Sequence, residues 1–363
     1  MPEIVQRDPA EVAETVARWL ATHLGEAAAP EVGEVSAPMT TGFSNETIMC
    51  RATWIEGGRR ADRRLVVRVA PTKHLLFLEA DFSLQYRVML TLAEGDAGVL
   101  LPPLRWFEAD DSWLGAPFFL MDHVDGVVAG EPTYDCAWLV EGTPAEQERL
   151  WWSGLEAMAQ VHRTDWRGLR LDWLIDQQRG PPGIEQQLAY YRDYLDWADE
   201  GRPVPVAEAA WEWLLAHRPE QHQELVLCWG DSRIGNIIWQ DFTAQAVIDW
   251  EMATVGPAEL DFGWWLYFDR QFSEGMVDEP RERPAGFPSR EETIDRYAEL
   301  LGRPLHDLFW YEVFAGFRFA VIFARLAELI KGSGLLPEDS DMGWNNIATQ
   351  CVAEMLELPP PAG

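Results

Sequence analysis

Asp231, Asn236 and Asp249 stand in an order that suits phosphoryl transfer. Asp231 follows an apolar run, 225–229, that reads as a buried strand, and Gly230 lets the chain turn sharply before it. Asn236 comes after a short loop. Residues 237–239 and 246–248 then read as two short strands joined by a polar turn containing Asp241 and Thr243, and Asp249 ends the second. Asp231 is placed to orient a substrate hydroxyl and accept its proton. Asn236 offers a neutral oxygen and Asp249 a charged one to Mg²⁺, a hard cation that prefers oxygen ligands and nucleotide phosphates. Turn formation would account for Asp231 or Asn236 singly, but not for their joint spacing with Asp249.

The motif Trp229-Gly230-Asp231 with Asn236, followed by Ile248-Asp249-Trp250, resembles the H-G-D-x-x-x-x-N and I-D-W/F pattern of the aminoglycoside phosphotransferase/choline kinase-like family. The match continues through Glu251, Ala253, Glu259, Leu260, Asp261, Gly263 and Trp264, and is closest to a bacterial branch carrying W-G-D. The resemblance implies an α+β, two-lobed protein-kinase-like fold. Residues 1–126 would form a small N-terminal lobe of antiparallel sheet plus helix, and 127–363 a larger, mainly helical lobe. It further implies ATP and Mg²⁺ as cofactors and a small-molecule hydroxyl as acceptor. The family's His is replaced by Trp229, which is expected to change loop packing rather than activity. Asp261 would hydrogen-bond the catalytic-loop backbone. His162, in Val161-His162-Arg163-x-Asp165, would pack beneath that loop.

The elements that must position this chemistry lie on both sides. Asp8 and Pro9 are suited to cap and open a helix with an apolar stripe of Val12, Val16, Trp19 and Leu20. The turn with Ser44 and Asn45 is an ordinary hairpin turn by itself; the resemblance gives it the nucleotide-loop role. In the strand 65–69, Leu65, Val67 and Val69 alternate with Val66 and Arg68. Kinases place a phosphate-binding Lys in such a strand, and a guanidinium can bind two phosphate oxygens. The next helix should carry Leu78, Phe82, Met89 and Leu92 on one face, with Gln85 on the same seam. Gln85 is expected to accept a hydrogen bond from Arg68, where kinases have an ion pair. Backbone groups of Met121, His123 and Val124 would meet the adenine.

Composition sets bounds. With 363 residues, 47% of them hydrophobic, the chain can build two lobes with cores. A formal charge of −31 argues against nucleic acid or an anionic membrane as partner. No apolar run reaches membrane-spanning length, since 314–330 carries Arg318, Arg325 and Glu328. The four cysteines form no metal or disulfide pattern, and the charged N-terminus does not read as a signal peptide. A cytoplasmic monomer or homodimer is expected. Residues 268–290 read as a polar loop or lid. Among the 19 tryptophans, Trp264 is a candidate to flank the acceptor, with Glu251, Asp269 and Arg318. No dense acidic cluster marks an aminoglycoside site, so hydroxyacyl-CoA is the alternative acceptor class. Trp229, Arg68 and Gln85 together leave a weakly active, pseudokinase-like nucleotide binder as the rival reading.

Overall fold

A computed structural model describes residues 7–36, 45–72, 75–79, 81–198, 201–219, 224–274 and 281–361. The chain forms two compact units, Met1–Tyr86 with Pro102–Val124, and Arg87–Leu101 with Asp125–Gly363. A single boundary near Gly126 therefore misses that residues 87–101 group with the second unit.

In the first unit, helix α1 (Pro9–Leu24) starts where Asp8 Oδ1 accepts from the Ala10 and Glu11 amides. Strands β1 (Glu31–Ser36), β2 (Glu46–Glu56), β3 (Arg59–Val69), β4 (Leu104–Glu108) and β5 (Phe118–Asp122) form one antiparallel sheet in the order β1-β2-β3-β5-β4. Alternation fixes its faces. Leu65, Val67 and Val69 join Trp19, Leu20, Trp54 and Phe118 in one core, while Val66 and Arg68 point the other way. Phe82 and Tyr86 pack on Phe119, with ring centroids 5.5 and 5.6 Å away. Helix α2 (Ser83–Glu94) begins later than the apolar spacing suggests. Asp81 Oδ1 accepts from the Ser83 amide at 2.9 Å and from its hydroxyl at 2.6 Å, which caps the helix after Leu78 and Phe82.

The second unit is mainly helical. It contains β6 (Val127–Val128), α3 (Ala137–Val140), α4 (Pro144–His162), α5 (Ile184–Ala198), α6 (Pro205–Ala216), β7 (Leu225–Cys228), β8 (Ile237–Gln240), β9 (Thr243–Val247), β10 (Thr254–Pro257), α7 (Glu259–Ser273), α8 (Arg290–Leu301), α9 (Leu308–Gly332) and α10 (Ile347–Met355). Two small ladders matter here: β7 pairs with β10, and β8 lies between β6 and β9. The β8–β9 turn puts Asp241 and Phe242 at φ +49° and +59°, the mirror-image turn whose twist matches a tight hairpin. No helix among the described residues is long and apolar enough to cross a membrane.

The expected loop over 268–290 is corrected in its first part. Helix α7 runs to Ser273 because Phe268 and Phe272 continue, at helical spacing, the buried stripe that includes Trp264.

Candidate active site

Strand β7 delivers Trp229-Gly230-Asp231 into a sharp turn. Gly230 has φ +97°, and a Cβ there would lie 2.1 Å from the Met252 carbonyl oxygen. Backbone cannot yield as a side-chain tip can. Gly230→Ala is expected to cost more than about 2 kcal/mol in denaturant unfolding, the strain of a non-glycine residue at positive φ plus a clash. Gly58→Ala supplies the control: its φ is +77°, but nothing lies within 4 Å of the added Cβ. Equal losses would remove the steric part of the claim.

Asp261, fully buried in the first turn of α7, holds this loop from behind. Its Oδ1 accepts from Gly230 N at 2.9 Å and its Oδ2 from Trp229 N at 2.7 Å. His162 Nε2 lies 3.0 Å from the same Oδ2, and its Nδ1 is 2.7 Å from Tyr297 Oη. The His162, Cys228 and Asp261 donor atoms lie close enough together for a metal ion. They are already engaged in hydrogen bonds, however, with Cys228 Sγ directed to Pro257 O at 3.4 Å. They therefore read as a structural support. Trp229, standing where the family pattern has His, is buried and donates its indole N–H to Ile248 O at 2.8 Å. Ile248 N in turn donates to Asn236 O at 3.0 Å. These bonds tie the loop to the strand end that carries Asp249.

Asp231 and Asn236 are brought together. Asn236 Nδ2 donates to Asp231 Oδ2 at 2.6 Å and to Asp231 O at 3.0 Å. Both bonds use the amide nitrogen, which turns Oδ1 away from Asp231. Asp249 takes φ +64°, a left-handed conformation that Asp tolerates better than most residues. Its charge is near enough to raise the pKa of Asp231. An amide oxygen and a carboxylate are the hard donor types that Mg²⁺ takes, so the residue types fit that ion. Burial first, then Asp249, pushes the Asp231 carboxyl up to about 7; the hydrogen bonds from Trp264 and Asn236 and the charge of Arg318 hold it down.

The acceptor candidates stand differently from expectation. Trp264 is buried and donates its indole N–H to Asp231 Oδ1 at 2.8 Å. It therefore serves the aspartate rather than lining a pocket. Arg318 is buried too; its Nη2 donates to Gly230 O at 2.9 Å and its guanidinium carbon lies 4.4 Å from the Trp264 ring centroid. Asp269 accepts from Arg283 Nε at 2.8 Å and from the Tyr134 hydroxyl. Glu251 is half-buried, and its charge is felt at Arg233. Sequence reading missed Arg233. Its Nε donates to Asp231 Oδ1 at 2.9 Å, and its Nη1 meets Glu131. Burial pulls its pKa down to about 10, against the charges of Asp249 and Glu251. The signal was a cation two positions past Asp231.

Trp264→Phe removes a donor that lowers the Asp231 pKa. The acid limb of kcat/KM is then expected to move to higher pH. An unmoved limb would mean that another group titrates there.

In the first unit, Asn45 is buried just before β2. Arg68 Nη1 donates to Thr47 Oγ1 at 2.9 Å across the β2–β3 pair. Gln85 is buried in the first turn of α2. Met121 is buried near the end of β5, and His123 N donates to Arg64 O at 2.9 Å, which commits that donor. Val124 is half-buried. Ser44 lies outside the described residues.

An antiparallel sheet unit with a helix, and a mainly helical unit whose loop holds Asp231 against Asn236, make a protein-kinase-like fold. The chain belongs to the phosphotransferase enzyme family (APH), whose model matches residues 41–300. Its fold is similar to that of a Ralstonia eutropha JMP134 protein classed as an aminoglycoside phosphotransferase, at TM-score 0.65 and 21% identity, covering 95% of this chain and 98% of that one. It is also similar to a thermostable mutant of the aminoglycoside phosphotransferase APH(4)-Ia solved with ADP and hygromycin B, at TM-score 0.54 and 14% identity, covering 94% and 98%. In sequence it is 29% identical over 273 residues to the mouse (Mus musculus) acyl-CoA dehydrogenase family member 10, covering 73% of this chain. The chain spans 24% of the length of that curated relative.

Proposed function

We propose that the chain transfers the γ-phosphoryl group of ATP to a hydroxyl of a small molecule. Asp231 takes the hydroxyl proton as the acceptor oxygen forms its bond to phosphorus and the bond to the ADP oxygen breaks. Asn236 Oδ1 and Asp249 would hold Mg²⁺, which would supply charge neutralisation at the phosphate oxygens. In the first unit, Arg68 is the phosphate contact, Gln85 its neighbour, and Asn45 and Ser44 the loop donors, with the backbone of Met121, His123 and Val124 for adenine. The observation that carries the reading is the Asn236 amide. Its nitrogen is spent on Asp231, so one residue sets the base and presents an oxygen for the metal. The ADP bound by the APH(4)-Ia neighbour supports the choice of nucleotide. The bond from Trp229 to Ile248 supports an active site over an inactive nucleotide binder, because it restores a tie within the loop.

For the acceptor, we favour a hydroxyacyl-CoA over an aminoglycoside. Of the acids suited to bind amines, Asp269 is paired with Arg283 and Glu274 with Arg270. The acyl-CoA dehydrogenase name of the mouse relative adds support. The described residues contain four free cysteines, in keeping with a cytoplasmic protein. The test is a screen of hydroxyacyl-CoA thioesters, aminoglycosides and amino alcohols with ATP and Mg²⁺, with phosphate transfer read by mass spectrometry. Transfer to aminoglycosides alone would overturn the acceptor choice; no magnesium-dependent transfer or ADP release would overturn the reaction.

A further inference from the structure

The inference rests on Asp231 being the base of phosphoryl transfer, and it concerns what aims that base. Each carboxylate oxygen has two lone-pair positions. On Asp231 Oδ1 both are taken, by Arg233 Nε at 2.9 Å and Trp264 Nε1 at 2.8 Å. On Oδ2 one is taken, by Asn236 Nδ2 at 2.6 Å. The remaining position, on Oδ2, is the one that can receive a proton from an alcohol. The last torsion of an aspartate is broad, so the donors on the carboxylate set the direction of that lone pair.

Trp264 needs no further support, being buried in the middle of α7. Arg233 does, because it reaches the carboxylate from a loop by a long, flexible side chain. Its guanidinium carbon lies 5.3 Å from the Phe268 ring centroid, and its Nη1 is held by Glu131. Gly235 leaves room for that pair, since a Cβ there would lie 2.7 Å from Glu131 Oε1 and 3.2 Å from Arg233 Nη1. The Glu131 side chain is 44% exposed. Solvent screens the Glu131 end of the pair, while the Arg233 end is largely buried against Asp231, so the pair holds the guanidinium at that carboxylate. We infer that Glu131 and Arg233 are positioning residues of the transfer reaction: Glu131 fixes the guanidinium, and Arg233 fixes Asp231 Oδ1, so that Oδ2 faces the acceptor.

The assay is Mg²⁺-dependent ADP release from ATP with water as acceptor, because water gives up its proton to the same oxygen. Arg233→Met is expected to lower kcat about a hundredfold, the cost of a reacting group misplaced by about 1 Å, with KM for ATP within twofold. Glu131→Gln is expected to lower kcat about tenfold by loosening the same geometry, and Glu131→Asp to recover part of that loss. Arg233→Lys should not recover the Arg233→Met loss, since an ammonium cannot reproduce the two-sided guanidinium fork. In the Arg233→Met background, Glu131→Gln should have no further effect. A kcat unchanged by Glu131→Gln, or an equal loss in both backgrounds, would overturn the inference. Glu131 lies at the surface, so its variants keep the test open if Arg233→Met fails to fold. The Asp231→Asn variant separates the two levels. If it is inactive while Glu131→Gln is fully active, the positioning pair falls and the base stands; if it retains full activity, the reading of the base itself falls.

Discussion

Asp231→Asn is expected to lower kcat by about 10²–10⁴, the usual contribution of a positioned general base, while removing a loss of stability that the metal-free protein suffers as pH rises. The two effects have one origin. Burial and the nearby Asp249 raise the Asp231 carboxyl from its ordinary value near 3.8 to about 7. Between those values the folded protein holds a proton that the unfolded chain has released. Stability therefore falls as pH rises through that window and is level above it. At about 1.4 kcal/mol per tenfold change in proton affinity, the ceiling is about 4 kcal/mol. Asparagine does not titrate, and its carbonyl oxygen can still accept from Arg233 and Trp264. Its NH2 then faces the Asn236 amide in place of Oδ2, a donor–donor contact whose cost does not change with pH. The difference in stability between variant and parent should therefore move in the variant's favour, by up to that amount, between pH 4 and pH 8. Denaturant unfolding at both pH values, with EDTA and no nucleotide, measures this change. A difference that is the same at pH 4 and pH 8 would show that the carboxylate is better solvated than its surroundings imply.

Legibility from sequence followed the range of the interactions. The nearness of Asp231 and Asn236, and of Asp249's charge to Asp231, could be expected because a short loop and a hairpin keep the three close in sequence. The α1 cap and the two faces of β3 are likewise local, set by Asp8 and by strict alternation. The start of α2 was misplaced because apolar spacing says where a helix can run, while the bonds from Ser83 to Asp81 decide where it begins. The end of α7 was misread because Asp269, Arg270 and Gln271 look like loop residues unless Phe268 and Phe272 are weighed with Trp264. Glu131 lies 102 positions from Arg233, so nothing local announces the pair. Trp264 in an apolar helix reads as core, and its bond to Asp231 appears only when α7 is laid against the loop. Asp269 seemed free to bind substrate because Arg283 lies beyond the end of its own helix.

Asp249→Asn should remove magnesium-dependent nucleotide binding, and asparagine is the informative substitution. Asp249 sits at φ +64°. Alanine there would add left-handed strain of about 1–2 kcal/mol, and a loss of binding would mix strain with chemistry. Asparagine tolerates the same backbone and keeps an oxygen, so what changes is the charge. A hard divalent cation with one charged protein ligand then loses it. The fall in affinity for the magnesium–ATP complex should exceed the roughly tenfold to hundredfold that outer-shell changes cost. Calorimetry with ATP, with and without Mg²⁺, reads this directly: the parent gains affinity with the metal and the variant does not. The same change removes the charge that helps raise Asp231, so in metal-free protein the Asp231 titration should move to lower pH. A variant that still binds ATP more tightly with Mg²⁺ would take the metal away from Asp249. A variant that loses the metal effect but leaves the Asp231 titration in place would show that the two carboxylates do not sense one another, and the shared site would come apart.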